Sequence, residues 1–218
     1  MGTLKNAVNW EATVSAREAM LEIVQRLTLV AGYRDEDAHS HCRRVRRYTK
    51  FIVEQMGIPE PDAGIMVVSS PMHDIGNVGI SDSILRKQEK LTQQEFEIMK
   101  THTLIGDKIL GESENPYLIS AQKFALYHHE RWDGSGYPFG MKGEGIPLEG
   151  RIMGIIDRYD ALRSRRPYKP AFRHEAAVLV IAKGNYRTNP EHFDPGILEV
   201  FLSCEESFRD IFDSNQKA

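Results

Sequence analysis

The chain has few cysteines, no long apolar run and little net charge. Its two cysteines, Cys42 and Cys204, lie far apart and outside any C-x-x-C spacing. This excludes a disulfide scaffold and a thiolate metal site, and it fits a reducing compartment. The strongest apolar run, residues 176–182, is far too short to span a bilayer. We therefore expect a soluble, cytoplasmic protein with no membrane partner.

A net charge of -3 gives the chain no general attraction to nucleic acid, so neither DNA nor RNA is an expected partner. One basic cluster stands out locally, formed by Arg43, Arg44, Arg46, Arg47 and Lys50. We interpret it as the solvated face of a helix. The alternative is that some of these arginines border an anionic substrate.

Helical periodicity dominates the chain, and no repeat, low-complexity tract or linker interrupts it. Its 218 residues are enough to bury a substantial core, so we predict a single all-helical domain. Glycines and prolines crowd residues 132–147, which predicts a shaped loop. Predicted helices cover residues 13–32, 36–56, 61 to about 73, 92–111 through His102, 116–129, 150–162, 174–183 and 195–212.

Imidazole and carboxylate side chains recur at the ends and faces of these helices. Taken singly, each has an ordinary explanation: Asp37 and His41 could lie on one solvated helix face, and Asp157 could be a cap or a salt-bridge partner. Together they could meet in one bundle core and hold two or more hard-to-borderline divalent ions, which indicates metal-assisted hydrolysis. The set is Asp37, His41, His73, Asp74, His102, His128, His129 and Asp157.

The order of these motifs resembles the HD-GYP family, an all-helical branch of the HD phosphohydrolases. The likeness covers roughly residues 35–201, and its most specific part is HHERWDGSGYP at residues 128–138. It implies an all-α fold: an HD-type helical bundle with a GYP loop, as a single domain over residues 34–218. Residues 1–33 would then form an N-terminal helix that acts as a connector or a dimerisation element.

The resemblance implies a phosphodiesterase in bacterial signalling, with signalling proteins as further partners. It would hydrolyse cyclic di-GMP to linear pGpG, GMP or both, through a metal-bound hydroxide, with His73, Asp74 and Asn77 as catalytic residues. Two or three divalent ions are expected, iron or manganese first and nickel or zinc as alternatives. Asp74 would bridge two metals, with His41, His73 and Asp157 on one side and His102, His128 and His129 on the other, while Asp37 matches a third-metal position.

The same resemblance assigns residues to the substrate. Tyr137 in the GYP segment would form the lip of the pocket, and Arg166 and Lys169 match positions that grip phosphates. A guanidinium and an ammonium suit that task. Asp35 matches a further polar position that faces the substrate.

Asn77 is the main departure from the family pattern, which usually has lysine there. Asparagine offers hydrogen bonds without charge, so turnover is in question more than metal binding. A catalytically weak domain that binds the dinucleotide or a partner protein is therefore a second hypothesis. A third is an HD phosphohydrolase for another nucleotide, against which the GYP segment argues.

Overall fold

The computed structural model describes most of the chain. The described residues are 38–165 and 171–214, with 18–19, 21–24, 26–28 and 30 from the N-terminal stretch. Within them the fold is all-helical, without strands, and the described residues between 18 and 30 are also helical. The all-α prediction is confirmed. No helix in the described part of the chain is both long enough and apolar enough to cross a membrane.

The helices follow one another through short connections. They are α1 (Ala38–Gln55), α2 (Asp62–Ser69), α3 (Asp82–Leu85), α4 (Gln93–Lys100), α5 (His102–Leu110), α6 (Pro116–Tyr127), α7 (Leu148–Arg163), α8 (His174–Lys183), α9 (Pro195–Ser203) and α10 (Glu205–Ser214). Short 3₁₀ turns span Ser70–Met72, Ile75–Gly79, Gly143–Gly145 and Pro190–His192.

Two predicted helices are each divided in the structure. The helix expected to run through His102 ends at Lys100, because the Thr101 amide donates to Ile98 three residues back and tightens the turn, and a new helix begins at His102. The helix expected over residues 195–212 breaks at Cys204, whose φ of -139° lies outside the helical region. Both predictions of one continuous helix were wrong, since periodicity alone does not mark these breaks.

Local signals elsewhere explain the helix starts. Thr92 Oγ1 accepts from the Glu95 amide at 3.3 Å, and the Glu95 carboxylate accepts from the Thr92 amide at 2.8 Å, so the predicted capping box is present. In α1, Val45, Tyr48 and Ile52 fall on one face and are fully buried.

The main core lies where α1, α6 and α7 pack together with the C-terminal helices. Tyr48 stacks on Phe208 from α10 at 4.7 Å between ring centroids, and Tyr159 meets both rings edge-on. A second cluster contains Val24 of the N-terminal stretch, packed with Met72 and other apolar residues. The assignment of residues 1–33 as a connector or dimerisation element, separate from a domain over residues 34–218, stays a prediction.

Candidate metal centre

Five imidazoles and one carboxylate meet at one end of the bundle, and we call this group the histidine cluster. His41 comes from α1, and His102 is the first residue of α5. His73 and Asp74 lie between two 3₁₀ turns, where the backbone turns sharply. The members of the histidine cluster are His41, His73, Asp74, His102, His128 and His129.

The cluster divides into two groups of possible ligands. The ligand atoms of His41, His73 and Asp74 lie within 4.8 Å of one another, and so do those of His102, His128 and His129. Within each group two Nε2 atoms are 3.3 Å apart, His41 to His73 in the first and His102 to His128 in the second. The family resemblance implied the same division of the histidines, with Asp157 beside His41 and His73 and with Asp74 between the two groups.

Asp74 lies between the two groups. Its Oδ2 is 3.6 Å from Nε2 of His73, and its Oδ1 is 3.5 Å from Nε2 of both His102 and His128. Each carboxylate oxygen therefore faces a different group. This is the arrangement that a carboxylate bridging two cations requires.

Backbone carbonyls orient three of the imidazoles. Nδ1 of His73 donates to Ser70 O at 3.0 Å, Nδ1 of His102 to Met99 O at 2.7 Å, and Nδ1 of His128 lies 3.0 Å from Phe124 O. With Nδ1 as the donor, Nε2 presents its lone pair to the cluster. The Nε2 atoms of His102 and His128 are only 3.3 Å apart, so a shared proton or a metal ion bound by both would relieve the repulsion between their lone pairs.

A buried carboxylate orients His41, and the sequence reasoning missed this function. Asp160 Oδ2 lies 2.7 Å from His41 Nδ1, and the Arg44 guanidinium donates to both Asp160 oxygens at 2.6 and 2.8 Å. Arg44 is 3% exposed, so reading the basic cluster wholly as a solvated face was wrong at this residue. The signal in the sequence was the i, i+3 pair of Asp157 and Asp160.

Burial and neighbouring charges shift the pKa values of the cluster residues in different directions. Burial lowers the pKa of His73 to about 4, and burial with the nearby imidazoles holds the pKa of His129 well below its usual value. Burial alone would also lower the pKa of His41, but the hydrogen bond and charge of Asp160 outweigh it and raise the pKa to about 9. Burial would raise the pKa of Asp74, yet the charges of His73 and its neighbours hold it well below the ordinary range.

Asp157 lies on α7 beside the cluster but in neither close group of ligand atoms. Its charge acts on the imidazoles, since it raises the pKa values of His41 and His128. The proposed third-metal residue Asp37, with Asp35, Arg166 and Lys169, lies outside the described residues. Their assigned functions stay predictions.

Gly76 allows the segment carrying His73 and Asp74 to approach α5 closely. A Cβ at Gly76 would lie 1.9 Å from the carbonyl oxygen of His102 and 2.6 Å from the Gly106 amide. Any side chain there would push the 75–79 turn away from the start of α5. The HD-x-G pattern therefore sets the distance between Asp74 and His102.

The GYP loop is fastened to the end of α6 by Glu130. This carboxylate is 4% exposed and accepts from the Phe139 amide at 2.7 Å and the Met141 amide at 2.9 Å. Gly136 packs on the same segment, where a Cβ would lie 2.5 Å from the carbonyl oxygen of His129. Sequence reasoning gave Glu130 no function, although it lies inside the most specific motif.

Tyr137 lies beside the histidine cluster, and its assignment to the lip of a substrate pocket stays a prediction. Its ring centroid is 4.6 Å from that of His129 and 6.2 Å from that of Phe96 on α4. Lys100 Nζ lies 5.8 Å from the Tyr137 centroid and 5.7 Å from that of Phe96. The Tyr137 ring thus borders the histidine cluster, and Phe96 and Lys100 lie beside that ring.

The donor set fits divalent metal ions. Imidazoles with carbonyl-anchored Nδ1 atoms and a central, partly exposed carboxylate are the ligands that iron, manganese, nickel and zinc accept. Asn77 lies in the 75–79 turn, half-buried, three residues after Asp74. Its catalytic assignment stays a prediction.

Comparisons with known proteins identify the family of the chain. The family model for the HD domain matches residues 13–197. A protein of Vibrio cholerae named cyclic di-GMP phosphodiesterase is 42% identical over 84% of this chain and 39% of its own length, and one of the same name from Thermotoga maritima is 41% identical over 88% and 51%. A 3′3′-cGAMP-specific phosphodiesterase of V. cholerae is 37% identical over 92% and 38%.

The chain thus spans about half the length, or less, of these curated relatives. Among solved structures, Bd1817, a HDG"Y"P protein from Bdellovibrio bacteriovorus, matches 79% of this chain and 51% of its own with a TM-score of 0.57. At 15% identity that likeness bears on the fold alone. The matched family model, which covers residues 13–197, leads to one conclusion: the chain belongs to the HD domain family, and its segment at residues 128–138 resembles the HD-GYP branch of that family.

Proposed function

We propose that this chain is a metal-dependent phosphodiesterase that hydrolyses cyclic di-GMP to linear pGpG, GMP or both. The observation that carries the proposal is the position of Asp74, whose two oxygens face different groups of imidazoles. Two relatives above 40% identity carry the name cyclic di-GMP phosphodiesterase, which supports the choice of substrate.

Two ions are proposed, one for each group of ligands. Iron or manganese is favoured because one carboxylate with several imidazoles is a mixed nitrogen and oxygen set without thiolate, and nickel and zinc are the alternatives. When bound, such ions supply an acidified water as the nucleophile and neutralise charge on the phosphate. A third ion would need Asp37.

The protein's own residues would hold the substrate for in-line attack. Water adds to phosphorus, the bond from phosphorus to the 3′ oxygen breaks, and that oxygen takes up a proton. Tyr137 and Phe96 offer ring faces for a nucleobase, while Lys100 offers a positive charge to a phosphate. The side-chain amide of Asn77 is a neutral hydrogen-bond donor that we place near the leaving oxygen.

The test is anaerobic purification with metal analysis, followed by turnover of cyclic di-GMP on the same sample. We expect bound metal and release of pGpG or GMP, with Asp74→Asn as the inactive control. Running 3′3′-cGAMP in parallel decides the substrate, because one relative is named for it. If cGAMP is hydrolysed faster, cGAMP is the substrate in place of cyclic di-GMP, and the proposed reaction is unchanged.

A second candidate function rests on Asn77, which stands where the family usually has lysine. In this case the domain binds the cyclic dinucleotide, or a partner protein, without efficient hydrolysis. A fully metal-loaded sample that binds cyclic di-GMP tightly and yields no product would support this function and contradict the first.

A further inference from the structure

We propose a second metal site, at the N-terminal ends of α8 and α10, formed by His174, Glu205 and Glu206. Its ligand would be a borderline divalent cation such as Zn²⁺. The three side chains each offer a ligand atom within 4.8 Å of the others. They share no residue with the histidine cluster, so this site would be additional to the proposed catalytic one.

The unsatisfied imidazole nitrogen of His174 is the main evidence. His174 is 4% exposed, and its Nε2 is buried without a hydrogen-bond partner among the described residues. Polar atoms buried in proteins are almost always bound to something, and a histidine can satisfy this need by binding a metal. Two carboxylates within reach of the same side chain make a cation a fitting partner.

The other nitrogen of His174 is anchored as in metal-bound histidines. Its Nδ1 lies 2.9 Å from Tyr159 Oη, which also accepts from Arg163 Nη1 at 2.8 Å. The phenol oxygen can accept from both groups, and this tautomer leaves a lone pair on Nε2. A ligating histidine usually donates its second ring N–H to an acceptor in this way.

The carboxylates of Glu205 and Glu206 open α10. Acidic residues are favoured at a helix N-terminus, so the two glutamates alone would indicate nothing more than a helix start. Glu206 also pairs with Arg209 through Oε2, which leaves its other oxygen for an ion. The buried, unsatisfied imidazole between these acids and α7 is what the helix-start explanation does not account for.

To bind an ion, the three ligand atoms must move slightly closer together. Zinc binds nitrogen and oxygen ligands at about 2.1 Å, so the outermost ligand atoms must approach by roughly 1 Å. Glu206 is exposed and flexible enough to make that movement. Such a site would link the first turns of α8 and α10 and so stabilise the packing of α9 and α10 against the core.

The test compares zinc binding by the parent with that of Glu205→Gln/Glu206→Gln. Each protein is stripped with a chelator, titrated with Zn²⁺, desalted and analysed for metal. We expect the double variant to lose one equivalent while keeping the parent's phosphodiesterase turnover. Glu199→Gln, an exposed glutamate on α9, is the matched control and should lose none.

Stability in a second background separates this site from the histidine cluster. In Asp74→Asn, where the proposed catalytic site is weakened, Zn²⁺ should still raise the Tm, and adding the two Gln substitutions should abolish that rise. Anomalous scattering at the zinc edge should show a peak beside His174 Nε2. Equal zinc equivalents in the parent and the double variant would overturn the proposal and leave His174 bound to water, whatever the outcome of the phosphodiesterase assay.

Discussion

Asp160 Oδ2 lies 2.7 Å from Nδ1 of His41, and the same carboxylate is held by Arg44 in a buried ion pair. The pair connects the interior of α7 to a residue at the edge of the histidine cluster. Because Nδ1 is fixed on Asp160, Nε2 of His41 is directed at His73, 3.3 Å away. Asp160 thus acts on a proposed metal ligand without being one.

We expect Asp160→Asn to lower metal affinity by about 10- to 100-fold, since the amide loses the charge that orients His41. It should also destabilise the fold by about 3 to 5 kcal/mol, because Arg44 is left buried without its anionic partner. Metal titration and urea unfolding measure the two effects. The matched control is Asp107→Asn, whose carboxylate accepts from an uncharged partner, Gln122, at 2.7 Å. Unchanged metal affinity in Asp160→Asn would contradict the orienting function.

Asp74→Asn should abolish turnover and remove at least one metal equivalent. The amide presents one oxygen where the carboxylate presents two, and each oxygen of Asp74 faces a different group of imidazoles. The fold should persist, because the Asp74 side chain is 41% exposed and the substitution by asparagine keeps its size. Metal analysis beside an activity assay measures both outcomes. Normal metal content in the variant would rule out a bridging carboxylate.

Asn77→Lys should raise turnover by about tenfold, which corresponds to about 1.4 kcal/mol of transition-state stabilisation, if a positive charge at this position assists the phosphate or the leaving oxygen. Metal content should not change. The rates must be compared at matched metal occupancy. An unchanged rate would show that position 77 does not limit catalysis, and the binding-only function would lose its support in the sequence.

The metal-free protein should lose stability as the pH rises from neutral. His41 has a folded-state pKa raised from 6.5 to about 9, so its contribution is fully present below pH 6.5 and is lost as the pH rises to about 9. Across that window the free energy of unfolding should fall by about 3 kcal/mol at most. His128, whose pKa is also raised, acts in the same direction.

Urea unfolding at a series of pH values, on chelator-treated protein, measures this slope. His41→Gln should flatten it and leave the part due to His128. The same protonation competes with metal for Nε2, so metal affinity should rise over the same pH window. A slope unaffected by His41→Gln would mean that His41 is not protonated at neutral pH.

Glu130→Gln should loosen the GYP loop without removing metal. Glutamine has one carbonyl oxygen for the amides of Phe139 and Met141, so one of these two amides loses its acceptor. We expect the KM for cyclic di-GMP to rise by about tenfold, because Tyr137 is carried by this loop. Kinetics at matched metal content test this. A lower metal content with unchanged KM would place the effect at His128 and His129 and not in the loop.

The amino-acid sequence determined the helical fold, the starts of most helices and the residues of the histidine cluster. These follow from local or nearly local signals: the 3.6-residue period, the Thr92 capping box, and short motifs such as His73-Asp74-Ile75-Gly76. The pairing of His41 with His73 and of His102 with His128 came from resemblance to the family, and the structure brings the same residues together.

Only the tertiary structure decided which polar side chains contact one another and which of them orient a proposed metal ligand. Arg44 and Asp160 are 116 residues apart, and nothing in the local pattern of either distinguishes a buried ion pair from two surface charges. The same holds for His174 and Glu205, which meet because α8 and α10 both begin at one corner of the bundle. Periodicity records which face of a helix is apolar, whereas the contacts made by a polar side chain depend on how the helices pack.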